Sequence, residues 1–287
     1  MSVFQFKKFK VVNERSAMKV NTDGVLLGAA MTIKAGDRRF LDIGTGTGTI
    51  ALMAAQRVEG IPGRAGNDAM IAGNDAMIAG NDAMMAGNDA MMAGNEGTIA
   101  GNEGTIAGNE VVIDAIDVDE PSASEAGMNF KSSPWPDRLY AHNLSLQDFA
   151  RQSDCIYDLI FSNPPYFEDS LTAPDERKST ARHTSEGLSY RDIFEFAKDR
   201  LSEEGRVSLV LPADQEAALT RYARMCGFHL FRVMRVRTVP RKDPSRIVAE
   251  FSRSRCTEPE DFILTIQNEG KYTQEYLSLT HEFYLFA

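Results

Sequence analysis

Three observations predict a doubly wound α/β sheet. A glycine-rich turn at residues 44–48 directly follows an apolar strand, strands and helices alternate along most of the chain, and residues 206–211 are apolar enough for a strand covered on both faces. Residues 39–43 read as the first strand, 49–57 as the helix after it, and 111–117 as the second strand. Residues 119–130 read as a helix, 138–142 as a third strand and 157–162 as a fourth. A helix over 190–201, ending near Gly205, leads into the strand at 206–211. The next helix spans 214–226, and residues 228–239 and 247–251 close the sheet as an antiparallel pair around Pro240 and Pro244.

One segment breaks the rhythm. Residues 65–110 repeat a heptapeptide, beginning Ala-Gly-Asn-Asp-Ala-Met-Ile and ending in copies of Ala-Gly-Asn-Glu-Gly-Thr-Ile. Each copy carries a Gly-Asn pair that disfavours helix by about 1 kcal/mol, and its apolar residues are adjacent rather than spaced as a coiled-coil seam. The repeat is therefore expected to be a flexible insertion within a domain spanning 37–256, with residues 1–36 packed on that domain and 257–287 extending it.

The chain has 287 residues, 43% of them hydrophobic, enough for a sizeable core. Its net charge of −10 argues against nucleic acid until its distribution is considered. The repeat holds seven acids and no Lys or Arg, so the remainder sums to only −3, and residues 221–255 hold ten basic residues against Asp243 and Glu250. Cys155, Cys226 and Cys256 are odd in number and far apart, so no disulfide framework is expected. His142, His183, His229 and His281 show no ligand spacing, so no metal site is expected. The first eight residues lack a signal-like apolar stretch and no segment reaches membrane-spanning length, which points to the cytoplasm without a membrane partner.

Two loops carry the chemistry. Asp42 closes the first strand, and Gly44, Gly46 and Gly48 let the chain turn tightly against a ligand. An acid before GxGxG disfavours a pyrophosphate and suits a cationic ligand, which counts against a nicotinamide cofactor. An acid for ribose hydroxyls is expected about 20 residues after the glycines. Asp117 lies 23 residues beyond Gly48 once the 46-residue repeat is set aside, whereas Asp119 reads as the start of the next helix. The second loop is Asn163, Pro164, Pro165 and Tyr166, at the end of the fourth strand. The Asn163 oxygen and the Pro164 carbonyl can accept hydrogen bonds from a planar amine while Tyr166 offers a stacking face.

The DIGTGTG loop, the IDVD segment and the NPPY loop resemble the motifs of class I S-adenosylmethionine-dependent methyltransferases. More narrowly, residues 9–11, 18–28 and 269–276 resemble the bacterial family of tRNA(Val) adenine-37 N6-methyltransferases. The resemblance implies a Rossmann-like fold with a mostly parallel seven-stranded sheet and a C-terminal antiparallel hairpin. It also implies S-adenosylmethionine as cofactor and tRNA as partner. It would place Lys19, Thr22 and Asp23 in the wall of the cofactor pocket and Asp148 beside the cofactor adenine, while Thr22 and Asp23 equally suit a plain helix cap. Arg177, Lys178, Arg182 and His183 after the NPPY loop, with Arg237, Arg241, Lys242 and Arg246, are candidate phosphate contacts. The rival acceptors are a release-factor glutamine and an adenine in DNA or rRNA. A catalytically silent RNA-binding protein is the rival outside enzymes.

Overall fold

The computed structural model describes residues 2–59, 111–165 and 188–286. The repeat, Tyr166 and residues 167–187 lie outside them. Strands β1 (Val3–Gln5) and β2 (Lys10–Val12) form an antiparallel pair ahead of helix α1 (Thr22–Ala30). The main sheet then builds through β3 (Arg39–Ile43), α2 (Thr49–Glu59), β4 (Val112–Asp117), α3 (Glu120–Lys131), β5 (Leu139–Asn143), α4 (Leu146–Gln152), β6 (Tyr157–Ser162), α5 (Tyr190–Arg200) and β7 (Leu201–Pro212). Helix α6 (Glu216–Met225), β8 (His229–Arg237), β9 (Arg246–Ser252) and β10 (Glu260–Thr265) follow, then the short pair β11 (Gln267–Asn268) and β12 (Lys271–Tyr272) and helix α7 (Gln274–Thr280).

The sheet runs β10-β8-β9-β7-β6-β3-β4-β5, and β9 alone opposes the rest. The seven expected strands are β3 to β9, and β10 adds an eighth at the edge. Its register against β8, Glu260 opposite Arg232 and Asp261 opposite Val233, puts acids beside basic side chains on the neighbouring strand. Because β8 and β10 point the same way as β3, β6 and β7, their carboxyl ends all reach one rim.

Side-chain alternation sends Phe40, Leu159 and Phe161 to one face of the sheet, covered by α1 and α2. Leu41, Ile43 and Ile160 go to the other, covered by α5 and α6. Helix α1 lies close on α2, since a Cβ at Gly28 would meet the Met53 sulfur at 2.7 Å. Helix α5 starts with a capping box between Ser189 and Asp192. The run at 206–211 holds one surprise: Arg206 is fully buried and pairs with buried Asp37, the arrangement a buried charge requires. Among the described residues no helix is long and apolar enough to cross a membrane.

Candidate active site

At the carboxyl rim β3 delivers the glycine turn and β6 delivers the Asn163 loop. Ile43 is in register with Ser162, and the Ser162 hydroxyl donates to the Ile43 carbonyl at 2.6 Å, so the two loops leave the sheet side by side. Asn163 is 5% exposed, and its Nδ2 lies 3.4 Å from the Met18 sulfur. Pro164 is buried and Pro165 exposed.

Gly44, Gly46 and Gly48 all take positive φ, at 72°, 57° and 79°, which only glycine adopts without strain. The amides of Gly44 and Thr45 donate to the Ile116 carbonyl at 2.9 and 3.0 Å, and the Gly46 amide donates to Asp117 Oδ2 at 2.8 Å. The acid expected at the end of the second strand therefore stands against the glycine turn. Asp117 Oδ1 accepts from the Asp119 amide at 2.9 Å, while Asp119 caps α3 through the Ser122 amide. Burial first, then the nearby Asp119 charge, pushes the Asp117 carboxyl up from its ordinary value.

Asp42 is fully buried. Its Oδ2 accepts from the Thr45 hydroxyl at 2.7 Å, and among the described residues its Oδ1 has no hydrogen bond of ordinary geometry. Burial raises its pKa from 3.8 to about 7; the Thr45 hydrogen bond opposes that rise, the Asp117 charge reinforces it, and the Ala51 amide opposes it. An orphaned carboxylate oxygen beside three permissive glycines fits a cationic ligand, as S-adenosylmethionine is. The shift has a sign. Folded Asp42 keeps a proton that the unfolded chain releases, so its contribution is fully present below pH 3.8 and is lost as pH rises to about 7. At about 1.4 kcal/mol per unit, the ligand-free protein should lose roughly 4 kcal/mol across that window, and Asp42→Asn should flatten the profile. Melting temperature against pH checks both.

The remaining candidates divide. Asp23 accepts from Arg246 Nε at 2.9 Å, joining the start of α1 to the start of β9 on the same rim. The cap of α1 is Asn21, whose side chain accepts from the Gly24 amide; Thr22 is the first helical residue and is exposed. Lys19 reaches back to the Glu14 carbonyl at 2.6 Å and is also exposed. Asp148 is engaged by the Ser145 hydroxyl at 2.7 Å and by Arg151 at 2.8 Å in the first turn of α4, a capping role. Arg237 donates to Thr265 Oγ1 and the Pro240 carbonyl. Arg241 and Lys242 are exposed, and their side chains make no hydrogen bond or ion pair among the described residues. Tyr166, Phe167, Arg177, Lys178, Arg182 and His183 fall outside the described residues.

Sequence reasoning passed over Met18 and Val118. Val118 is 76% exposed between Asp117 and Asp119, and its carbonyl and that of Asp117 both accept from Asn143 Nδ2. A valine between two acids at the end of a strand was the available signal.

No protein-family model matches the chain. It is 34% identical to the tRNA1(Val) (adenine(37)-N6)-methyltransferase of Parabacteroides distasonis over 284 residues, covering 98% of this chain and 97% of the relative. With the protein of that name from Bacteroides thetaiotaomicron the identity is 35% over 285 residues, covering 98% and 97%. Among solved structures, a predicted O-methyltransferase, Atu636 of Agrobacterium tumefaciens, superposes with a TM-score of 0.56 at 14% identity, covering 91% of this chain and 96% of that one. At that identity the likeness carries the fold alone.

Proposed function

The chain belongs to the tRNA1(Val) (adenine(37)-N6)-methyltransferase family, and from that premise we propose that it methylates N6 of adenine 37, beside the anticodon of tRNA(Val), with Asn163 as the residue that receives the amine. It is an S-adenosylmethionine-dependent methyltransferase. The observation that supports Asn163 is its near-complete burial one strand away from the glycine turn. When bound, S-adenosylmethionine supplies an electrophilic methyl group on a sulfonium.

The chain's own task is to hold a poor nucleophile in line with that methyl group. The N6 lone pair of adenine is delocalised into its ring. Hydrogen bonds accepted by the Asn163 side-chain oxygen and the Pro164 carbonyl help localise it, and Tyr166 would stack on a base turned out of the anticodon loop. On the cofactor side, Asp42 would hold the cationic end, Asp117 the ribose hydroxyls, and Val118 would offer an apolar surface to the adenine ring. Lys19, Asp23 and Asp148 contribute to the surrounding wall rather than to the reacting atoms. Asp42 must be ionised to face a cation, so cofactor affinity should rise with pH up to about 7.

With tRNA as the macromolecular substrate, the reading is of a cytoplasmic enzyme. The loop between β8 and β9 stands on the catalytic rim, and its Arg241 and Lys242 are the basic pair there left without internal partners among the described residues. Arg237 and Arg246, engaged within the fold, would shape that track, and Arg177, Lys178 and Arg182 would continue it. Replacing Arg241 and Lys242 together by alanine should raise KM for tRNA while leaving kcat unchanged. It should also reduce the salt dependence of binding by a slope of about two, one for each phosphate contact.

The reading is tested by incubating unmodified total tRNA with the protein and methyl-labelled S-adenosylmethionine, then digesting to nucleosides for mass spectrometry. The expected product is N6-methyladenosine. Label recovered only when a release factor is supplied would move the acceptor to a glutamine amide.

A further inference from the structure

Helix α3 carries a polar stripe where a helix packed in an α/β protein is ordinarily apolar. Ser122, Glu125 and Asn129 follow the i, i+3, i+7 spacing of one helix face and are 2%, 0% and 1% exposed. All three reach the segment at residues 12–18. Glu125 Oε2 accepts from the backbone amides of Glu14 and Arg15 at 2.8 and 2.7 Å, and its Oε1 accepts from the Ser16 amide at 3.2 Å. Three consecutive amides thus form an anion nest, and a buried carboxylate fills it. Asn129 accepts from the Val12 amide at 2.8 Å and donates to the Val12 carbonyl at 3.0 Å and to the Thr47 carbonyl of the glycine turn at 2.9 Å. Ser122 Oγ stands 3.0 Å from Ser16 Oγ, and the Ser16 hydroxyl donates to the Met18 carbonyl at 3.0 Å.

The far end of this segment touches both reactive loops. A Cβ added at Gly46 would lie 3.4 Å from Ser16 Oγ and 3.5 Å from the Met18 carbonyl, so the segment roofs the glycine turn. The Met18 sulfur meets Asn163 Nδ2. An amide side chain presents oxygen on one side and NH2 on the other, and the two orientations differ little in shape. A thioether can only accept, so Met18 favours the orientation that puts Nδ2 on its side. That orientation turns the Asn163 oxygen away from the sulfur.

We propose that residues 12–18 form a strap, held by Ser122, Glu125 and Asn129, that sets the orientation of the Asn163 amide. Met18 is the positioning residue in contact with it, and Glu125 acts one step further back by holding the strap. The proposal rests on Asn163 receiving the acceptor amine.

Met18→Leu keeps the volume and removes the acceptor. Its kcat for tRNA methylation should fall about tenfold, the worth of one hydrogen bond, with cofactor Kd and melting temperature unchanged. Glu125→Gln puts an NH2 group against backbone N–H donors, so it should lower kcat and also weaken cofactor binding through the glycine turn. Because both act through Met18, kcat of the double variant should match that of Glu125→Gln rather than multiply the two losses. The measurements are single-turnover methyl transfer, calorimetric titration of the cofactor and thermal melting, with Asn163→Ala as control. Wild-type kcat in Met18→Leu, or a Glu125→Gln variant that loses melting temperature alone, would overturn the strap. If Glu125→Gln fails to fold, Met18→Leu decides. An Asn163→Ala variant that still methylates adenine would instead overturn the assignment of Asn163.

Discussion

Asn163→Ala should lower the rate of methyl transfer at least about a hundredfold, the scale seen when one preorganised hydrogen-bonding group is removed from a reacting centre. Cofactor binding should survive. The glycine turn, Asp42 and Asp117 are held by contacts of their own: the Ile116 carbonyl, the Thr45 hydroxyl and the Asp119 amide. Single-turnover kinetics with saturating tRNA, beside calorimetric titration of S-adenosylmethionine, separates the two effects. An equal loss of both would mean that Asn163 supports the pocket rather than the acceptor.

Gly48→Ala should do the reverse. Its φ of 79° costs a non-glycine residue about 1 kcal/mol, and a Cβ there would stand 2.4 Å from Phe130 Cε1 and 2.9 Å from Phe130 Cζ. Phe130 is 1% exposed in the core between α3 and the sheet, so it has little room to yield. Overpacking of that kind adds roughly 1–3 kcal/mol, for a total of about 2–4 kcal/mol of stability or an equivalent displacement of the glycine turn. Cofactor affinity should then collapse, by two orders of magnitude or more if the turn moves. Gly46→Ala is the comparison: its new Cβ would come no closer than 3.4 Å to a neighbour, leaving strain from φ alone. Melting curves and cofactor titrations of the two variants should rank Gly48 well above Gly46.

Most of the sheet was legible because its strands are apolar runs bounded by turn residues. The parallel crossovers then leave few topologies to choose from. The Asp117 position was legible only after the repeat was set aside; in the fold the Gly46 amide donates to its carboxylate. β10 was harder to read: Glu260 and Asp261 open it, and they belong in a strand only because Arg232 and Arg235 wait on the adjacent one. The strap was illegible for a related reason. A glutamate on a helix reads as a solvated face, and nothing local in the sequence says that Glu125 meets the backbone amides of residues 14–16 about a hundred positions away. Asp148, read as a contact beside the cofactor adenine, is held in the fold by the helix-capping Ser145 hydroxyl and by Arg151, partners that the resemblance did not announce.

The most direct test uses an unmodified tRNA(Val) transcript and a second transcript with guanosine in place of adenine 37. Each is incubated with the protein and S-adenosylmethionine, and the nuclease fragments are then mapped by mass spectrometry. One added methyl group in the anticodon-loop fragment of the first transcript, recovered as N6-methyladenosine and absent from the second, is the expected result. Equal methylation of both transcripts, or a methyl group mapped outside that fragment, would contradict the assignment of adenine 37.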